Sequence, residues 1–270
     1  MSGGGNLKLA PQGFSGVENV NSKCYISDMI HHYKNKQGFT LAEVLITLGI
    51  IGVVAAMTLP TLIANYQKKV IATKLKQTYS ILSNAIAKEQ SLTGIPFSSY
   101  YALEYRKDAC PTGYEFTECA NALFEDYLKD NLSDNVKINS SGLGDIFDTG
   151  VASVLYGKSF ILPNGVAVNI YGGAFAVVPN YKKTRDPKKK IKLVAGKTLF
   201  YFGKRPVDSL DAAKDTVALL PMSKSERKKY TRDDLITRCK SSDIGIAVPA
   251  CSQLFIEDGF EFKKDYPVGF

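Results

Sequence analysis

The sequence predicts an α+β fold in which a long N-terminal helix, membrane-spanning in its first half, packs on an antiparallel β-sheet. Three observations lead there. Val44 to Ala64 is a run of 21 residues without a charge, about 31 Å long as a helix and enough to cross a bilayer core of about 30 Å. Beyond it, apolar residues keep recurring at helical steps. Further on, β-prone runs flank Pro163-Asn164-Gly165, whose Asn-Gly pair is a strong hairpin signal because both turn positions favour positive φ.

Taken in order, residues 1–28, with Gly3-Gly4-Gly5, show no apolar period and are set aside from fold reasoning. The uncharged run begins directly after one carboxylate, Glu43. A charge at the lipid centre costs about 2.5 to 3.5 kcal/mol on insertion scales, and no Lys or Arg lies in the segment, so the partner of Glu43 is expected outside this helix. Gly49, Gly52, Ala55 and Ala56 offer small residues through which neighbouring helices approach closely. Pro60 lacks an amide hydrogen and is expected to bend or locally open the helix. After it, Leu62, Ile63, Tyr66, Val70, Ile71, Leu75, Tyr79, Leu82 and Ile86 continue one apolar face. Lys68, Lys69, Lys74, Lys76 and Lys88 take other positions, and Gly94-Ile95-Pro96 stops the helix.

A second amphipathic helix fits 117–130, with Leu123, Phe124, Tyr127 and Leu128 on one face. Strands are expected at Val151–Tyr156, Ser159–Leu162, Val166–Tyr171, Ala174–Val178 and Lys197–Phe202. Ser223–Cys239 reads as a basic helix, and short apolar runs around Leu254-Phe255-Ile256 and Phe260-Glu261-Phe262 close the chain.

Gly38-Phe39-Thr40-Leu41-x-Glu43, preceded by Lys34 and Lys36 and followed by Gly52 and Pro60, resembles the N-terminal signature of prepilins. The resemblance covers about 30 residues and points to the type IV pilin-like and type II secretion pseudopilin family. It implies that a prepilin peptidase cuts between Gly38 and Phe39 and methylates the new amine on Phe39. It further implies that Glu43 pairs with the Phe39 amine of a neighbouring subunit during assembly, and that the Gly52 to Pro60 stretch melts when subunits pack. Leaders in this family are short and basic, whereas 38 residues precede the cut here. A start at Met29 would give a ten-residue leader with two lysines. The expected organisation is therefore a leader over 1–38, a transmembrane or filament-core helix over 39–64, its amphipathic continuation over 65–93, and a globular domain over 94–270.

Lysines flank both ends of the span, so the positive-inside count is nearly tied. Cysteines break the tie. Cys24 precedes the cut, which leaves Cys110, Cys119, Cys239 and Cys251. Their C-x8-C and C-x11-C spacings do not suit the C-x2-C knuckles of zinc sites and fit disulfides in an oxidising compartment. Of three connectivities, 110 with 119 and 239 with 251 is favoured, each pair closing a loop of about ten residues worth roughly 3 kcal/mol. The second pair also resembles the C-terminal disulfide loop of many pilins. Such a chain is a single-pass protein of the cytoplasmic (inner) membrane with its domain periplasmic or extracellular.

Catalytic signals are few. Both histidines, His31 and His32, precede the cut, so the chain from Phe39 onward has no Ser-His-Asp or Cys-His system and no His-ligated metal. Gly142-Leu143-Gly144 and Gly172-Gly173 lack the context of a phosphate loop. Asp233-Asp234 and Glu257-Asp258 read as surface carboxylates. Asp145 and Asp148 are the nearest calcium candidates, but two acids three apart make a thin ligand set. No enzyme activity, cofactor or metal is expected.

Charge singles out one loop. The chain nets +8, and 181–192 alone holds Lys182, Lys183, Arg185, Lys188, Lys189, Lys190 and Lys192 against Asp186. This is a solvated loop or a contact for an acidic partner such as DNA or an anionic surface polymer. With Tyr181 its only aromatic, base stacking is poorly supported. The expected role is a minor pilin or pseudopilin that meets prepilin peptidase, other filament subunits and an inner-membrane assembly platform. The alternative is a DNA- or surface-binding pilin that uses the basic loop.

Overall fold

The computed structural model describes residues 38–101, 123–132, 135–139, 143, 147, 158–171, 174–181, 190–204, 214–215 and 219–270. Helix α1 runs Leu41–Thr93 without interruption. It ends where expected, at Gly94, whose φ of +71° suits a residue without Cβ and whose amide donates to Gln90 O at 3.0 Å. Of the bend or local opening expected at Pro60, the opening is not present, since the helix continues through it. Pro60 has no amide hydrogen to give the Ala56 carbonyl, yet residues on both sides keep helical geometry.

The chain divides between Ala55 and Ala56. In the second unit, α1 buries Ile71, Leu75, Thr78, Leu82, Ala85 and Ile86, at steps mostly of three and four that form one stripe. Leu62, Ile63 and Tyr66, expected to share that stripe, are exposed. The stripe faces a five-stranded antiparallel sheet in simple order: β1 Lys137–Asn139, β2 Ser159–Ile161, β3 Ala167–Tyr171, β4 Ala174–Val178 and β5 Phe200–Phe202. Side chains alternate across the pleat. Phe160, Val168, Ile170, Phe175, Val177, Phe200 and Phe202 join the α1 residues in one core. Ala167, Ala176, Val178 and Tyr201 face a smaller second core with Phe147, Leu199 and Val248.

The β2–β3 hairpin forms where Asn-Gly placed it, but with a different turn. Gly165 N donates to Leu162 O at 2.9 Å, Leu162 N to Val166 O at 2.9 Å, and only Gly165 has positive φ. Pro163 fixes its own φ near −65°, which excludes the type I′ turn and selects a three-residue loop with a glycine bulge. Asn164 Nδ2 reaches Lys74 O at 3.5 Å and Gln77 Oε1 at 3.4 Å, seating the turn on α1.

Other boundaries moved. The predicted strand from Lys197 begins at Phe200, because Gly196 N bonds back to Leu199 O and 196–198 form a turn. β1 was not foreseen. The predicted strand 151–156 lies outside the described residues, as do 117–122 of the second helix. The described part of that helix is a π-helical turn, Phe124–Leu128, followed by a 3-10 turn, Lys129–Asn131, with Leu123, Phe124 and Leu128 buried.

The single helix expected over 223–239 is two helices, α2 Lys224–Lys229 and α3 Arg232–Cys239. Each has its own capping box, Ser223 with Glu226 and Thr231 with Asp234, and the second start breaks the first helix. Helix α4, Ile244–Glu257, contains the apolar run at 254–256 and is buried over most of its length. Its Ser252 hydroxyl accepts the Tyr201 amide at 2.8 Å and donates to Val248 O at 2.7 Å, so α4 covers the β5 edge. The architecture is the pilin-like one: a long helix on an antiparallel sheet, with a C-terminal disulfide.

Candidate processing and assembly site

The N-terminal site spans residues 38–43. Gly38, Phe39 and Thr40 are non-helical, and α1 starts at Leu41. Thr40 caps it: the Glu43 amide donates to Thr40 Oγ1 at 3.2 Å, while Glu43 Oε2 accepts both the Thr40 amide and the Thr40 hydroxyl at 2.8 Å. This is a reciprocal capping box that satisfies two of the orphan donors at a helix start. The carboxylate therefore has a partner on its own helix, which corrects the expectation that its partner lies only outside. Thr40-x-x-Glu43 is itself the sequence signal for such a box, and it was legible before the structure.

Among the described residues nothing packs around this start. Phe39 is 86% exposed, and no atom lies within 4 Å of a Cβ built on Gly38. From Leu41 to Tyr66 the large apolar side chains on every side of α1 are exposed, Leu45, Ile46, Ile50, Ile51 and Met57 among them. A helix apolar all round is shaped for lipid or for other helices. Gly49 and Gly52 open toward empty space, leaving flat places for close approach. Thr47 and Thr61 turn their hydroxyls back to Val44 O and Thr58 O, so neither leaves an unpaired donor on the apolar surface.

Cys239 and Cys251 are bonded, Cα to Cα 4.8 Å, joining the end of α3 to the middle of α4. Cys110 and Cys119 lie outside the described residues. So do Asp145 and Asp148, and 182–189 of the basic loop. Of the loop's ends, Lys190 and Lys192 are exposed, and Tyr181 packs against the second core, where burial pushes its phenol up. That packing leaves Tyr181 only partly exposed.

Three of the four paired acids, Asp234, Glu257 and Asp258, have structural partners. Asp234 belongs to the Thr231 capping box, whose hydrogen bonds hold its carboxyl below the usual range. Asp258, nearly inaccessible, takes a two-pronged contact from Arg232 at 2.5 and 3.0 Å and a third from Lys263 at 2.8 Å. The same guanidinium binds Asp265 at 2.9 Å, lowering that carboxyl and being raised in turn. Glu257 accepts from Gln253 Nε2 at 2.8 Å. Among the described residues no group of three or more His, Cys, Asp or Glu is placed to hold a metal ion.

Residues 33–59 match the prokaryotic N-terminal methylation motif, and residues 61–270 match a family of unknown function (DUF6613). No curated protein and no solved structure matches the chain. The two matched regions meet at Pro60. The chain thus carries a prepilin-type signal on a pilin-like fold, and it belongs to the family of unknown function DUF6613.

Proposed function

We propose that this chain is a minor pilin or pseudopilin, a structural subunit of a type IV pilus-like or type II secretion filament. The observation that carries the reading is the methylation motif at the head of a continuous 53-residue helix. The first half of that helix is apolar and exposed. In this reading residues 1–38 are a leader removed by prepilin peptidase, and Phe39 becomes the methylated terminus. Residues 39–64 anchor the subunit in the inner membrane and later line the filament core. Residues 65–93 carry the domain 94–270, which stands in the periplasm or outside the cell, where the Cys239–Cys251 bond persists.

Glu43 then has two successive tasks. In the membrane-held subunit its Oε2 stays with Thr40, which shields the charge at the lipid boundary. On entry to the filament, the carboxylate meets the Phe39 amine of a neighbour delivered by the assembly platform. A subunit in the wrong axial register would bury the acid unpaired. The second reading, DNA or surface binding through 181–192, has charge alone behind it.

Shear fractionation of native cells with terminal peptide mass spectrometry tests the proposal. A chain beginning at methylated Phe39 is expected, released with surface filaments if the filament is a pilus and retained with the membrane if it is a pseudopilus. An uncut leader in both fractions overturns the reading.

A further inference from the structure

Between α1 and the segment that follows α4 lies a groove of 490 Å³, lined by Lys68, Lys69 and Lys76 on one side and by Phe260, Glu261 and Phe262 on the other. Lys69 and Lys76 are exposed and stand two helical turns apart on one face. Among the described residues neither has a carboxylate within ion-pair distance, and the Lys68 amine lies 5.7 Å from the centre of the Phe270 ring. Three lysines against the one carboxylate of Glu261 leave the groove cationic. Its far wall is held in a fixed shape. Gly259 and Phe260 both have left-handed backbones, φ +73° and +66°. They close α4 in a Schellman motif, with Gly259 N to Ile256 O and Phe260 N to Phe255 O each at 3.0 Å. The Phe260 ring is anchored 4.9 Å from Tyr79 and 5.6 Å from Phe255.

The groove's height along α1 decides what it meets. The apolar stretch ends at Ala64, before Asn65. At 1.5 Å per residue, Lys68 and Lys69 lie about 6 to 8 Å beyond it and Lys76 about 18 Å. A headgroup layer is about 5 to 8 Å thick on each side of the hydrocarbon. Two of the three amines therefore stand at phosphate level, beneath a cleft of the volume that small ligands occupy. We infer that this groove binds the phosphodiester headgroup of an anionic phospholipid in the leaflet from which the domain emerges, before the subunit leaves the bilayer. This rests on the membrane-anchored reading above. Lys68 and Lys69 take the phosphate, Lys76 the outer polar part of the headgroup, and Phe260 and Phe262 close the apolar side.

The test places the full chain in nanodiscs of phosphatidylcholine with or without phosphatidylglycerol. Acetylation rates of Lys68, Lys69 and Lys76 are read by peptide mass spectrometry against Lys228 and Lys240. With phosphatidylglycerol the three groove lysines should slow by on the order of tenfold, since each juxtamembrane lysine contributes about a fivefold preference for an anionic surface. The reference lysines should not change. Lys69→Ala with Lys76→Ala should lose the preferential retention of phosphatidylglycerol in native mass spectrometry, and Lys69→Arg with Lys76→Arg should keep it. Equal labelling in both discs, or a doubly alanine-substituted chain that still retains the lipid, overturns the lipid site. Equal protection by glycerol phosphate in phosphatidylcholine discs assigns the groove to a free anion and overturns it too. A chain that never enters discs overturns the anchoring reading, and the lipid site with it.

Discussion

At φ +71° Gly196 stands where a side chain has no room: a Cβ built there falls 2.4 Å from Tyr266 Oη and 2.9 Å from Cys251 Sγ. Its carbonyl also accepts the Tyr266 hydroxyl at 3.2 Å, so the turn before β5 and the disulfide pack through this one position. Gly196→Ala is expected to cost about 2 to 4 kcal/mol, read as a lower urea midpoint with the Cys239–Cys251 bond intact. Glu43 allows a sharper separation of roles. Glu43→Gln keeps an oxygen for the Thr40 amide and removes the charge, whereas Glu43→Ala removes both. Helix start, followed by amide exchange at residues 41–44, should survive in the Gln variant and fray in the Ala variant, a capping loss of about 1 kcal/mol. Incorporation into filaments should fall at least about tenfold in both, the size of one charge-assisted hydrogen bond. Normal assembly of the Gln variant would show that Glu43 acts only as a cap.

Helices α3 and α4 meet at the disulfide, and a 12-residue separation makes it a short loop. In the chain-entropy description such a closure contributes about 3 kcal/mol. Cys239→Ser with Cys251→Ser should lower the unfolding free energy by that amount, read from the denaturation midpoint, and a midpoint unmoved would mean that Arg232, through Asp258 and Asp265, already holds the corner alone. The C-terminal elements also show what periodicity conveys. α1 was readable because its domain half buries one stripe and leaves Lys69 and Lys76 in water. α4 was not, because Ala247, Val248, Ala250, Cys251, Leu254 and Phe255 are all buried, and a helix covered on most sides carries no clear 3.6-residue alternation. The break between α2 and α3 was available in Thr231-x-x-Asp234, a capping pattern hidden inside a basic run that otherwise reads as one helix.

For the molecule as a whole, acid is the weak direction. Hydrogen bonds from Lys158 and Lys129 lower Glu125, and those from Arg232 lower Asp265. Burial pushes Glu226 up, but its bonds to Lys204 and the Ser223 amide outweigh that and leave it lowered. A carboxyl lowered on folding adds stability that is complete above its unfolded value, about 4, and is lost as the pH falls through the folded value. His31 and His32 precede the proposed cut, so the processed chain has no histidine to titrate near neutrality. Denaturation midpoints should be flat from about pH 5 to 7 and decline below about pH 4. A decline centred near pH 6 would contradict this account.

Features decided over a few residues were settled by the sequence: the prepilin-type signal, the uncharged span, the helix stop at Gly94 and the hairpin at Asn164-Gly165. Each depends on interactions reaching no farther than one turn or one bilayer thickness, so neighbouring residue types are enough to specify it. Tertiary structure decided the rest. It set the glycine-bulge form of the turn seated on Lys74 and Gln77, the burial of α4 against the β5 edge, the packing of Tyr181 against the second core, and the cationic groove between Lys69 and Phe260. Those outcomes depend on which surfaces distant segments present to each other, and residue order states such pairings only after the chain has closed around them.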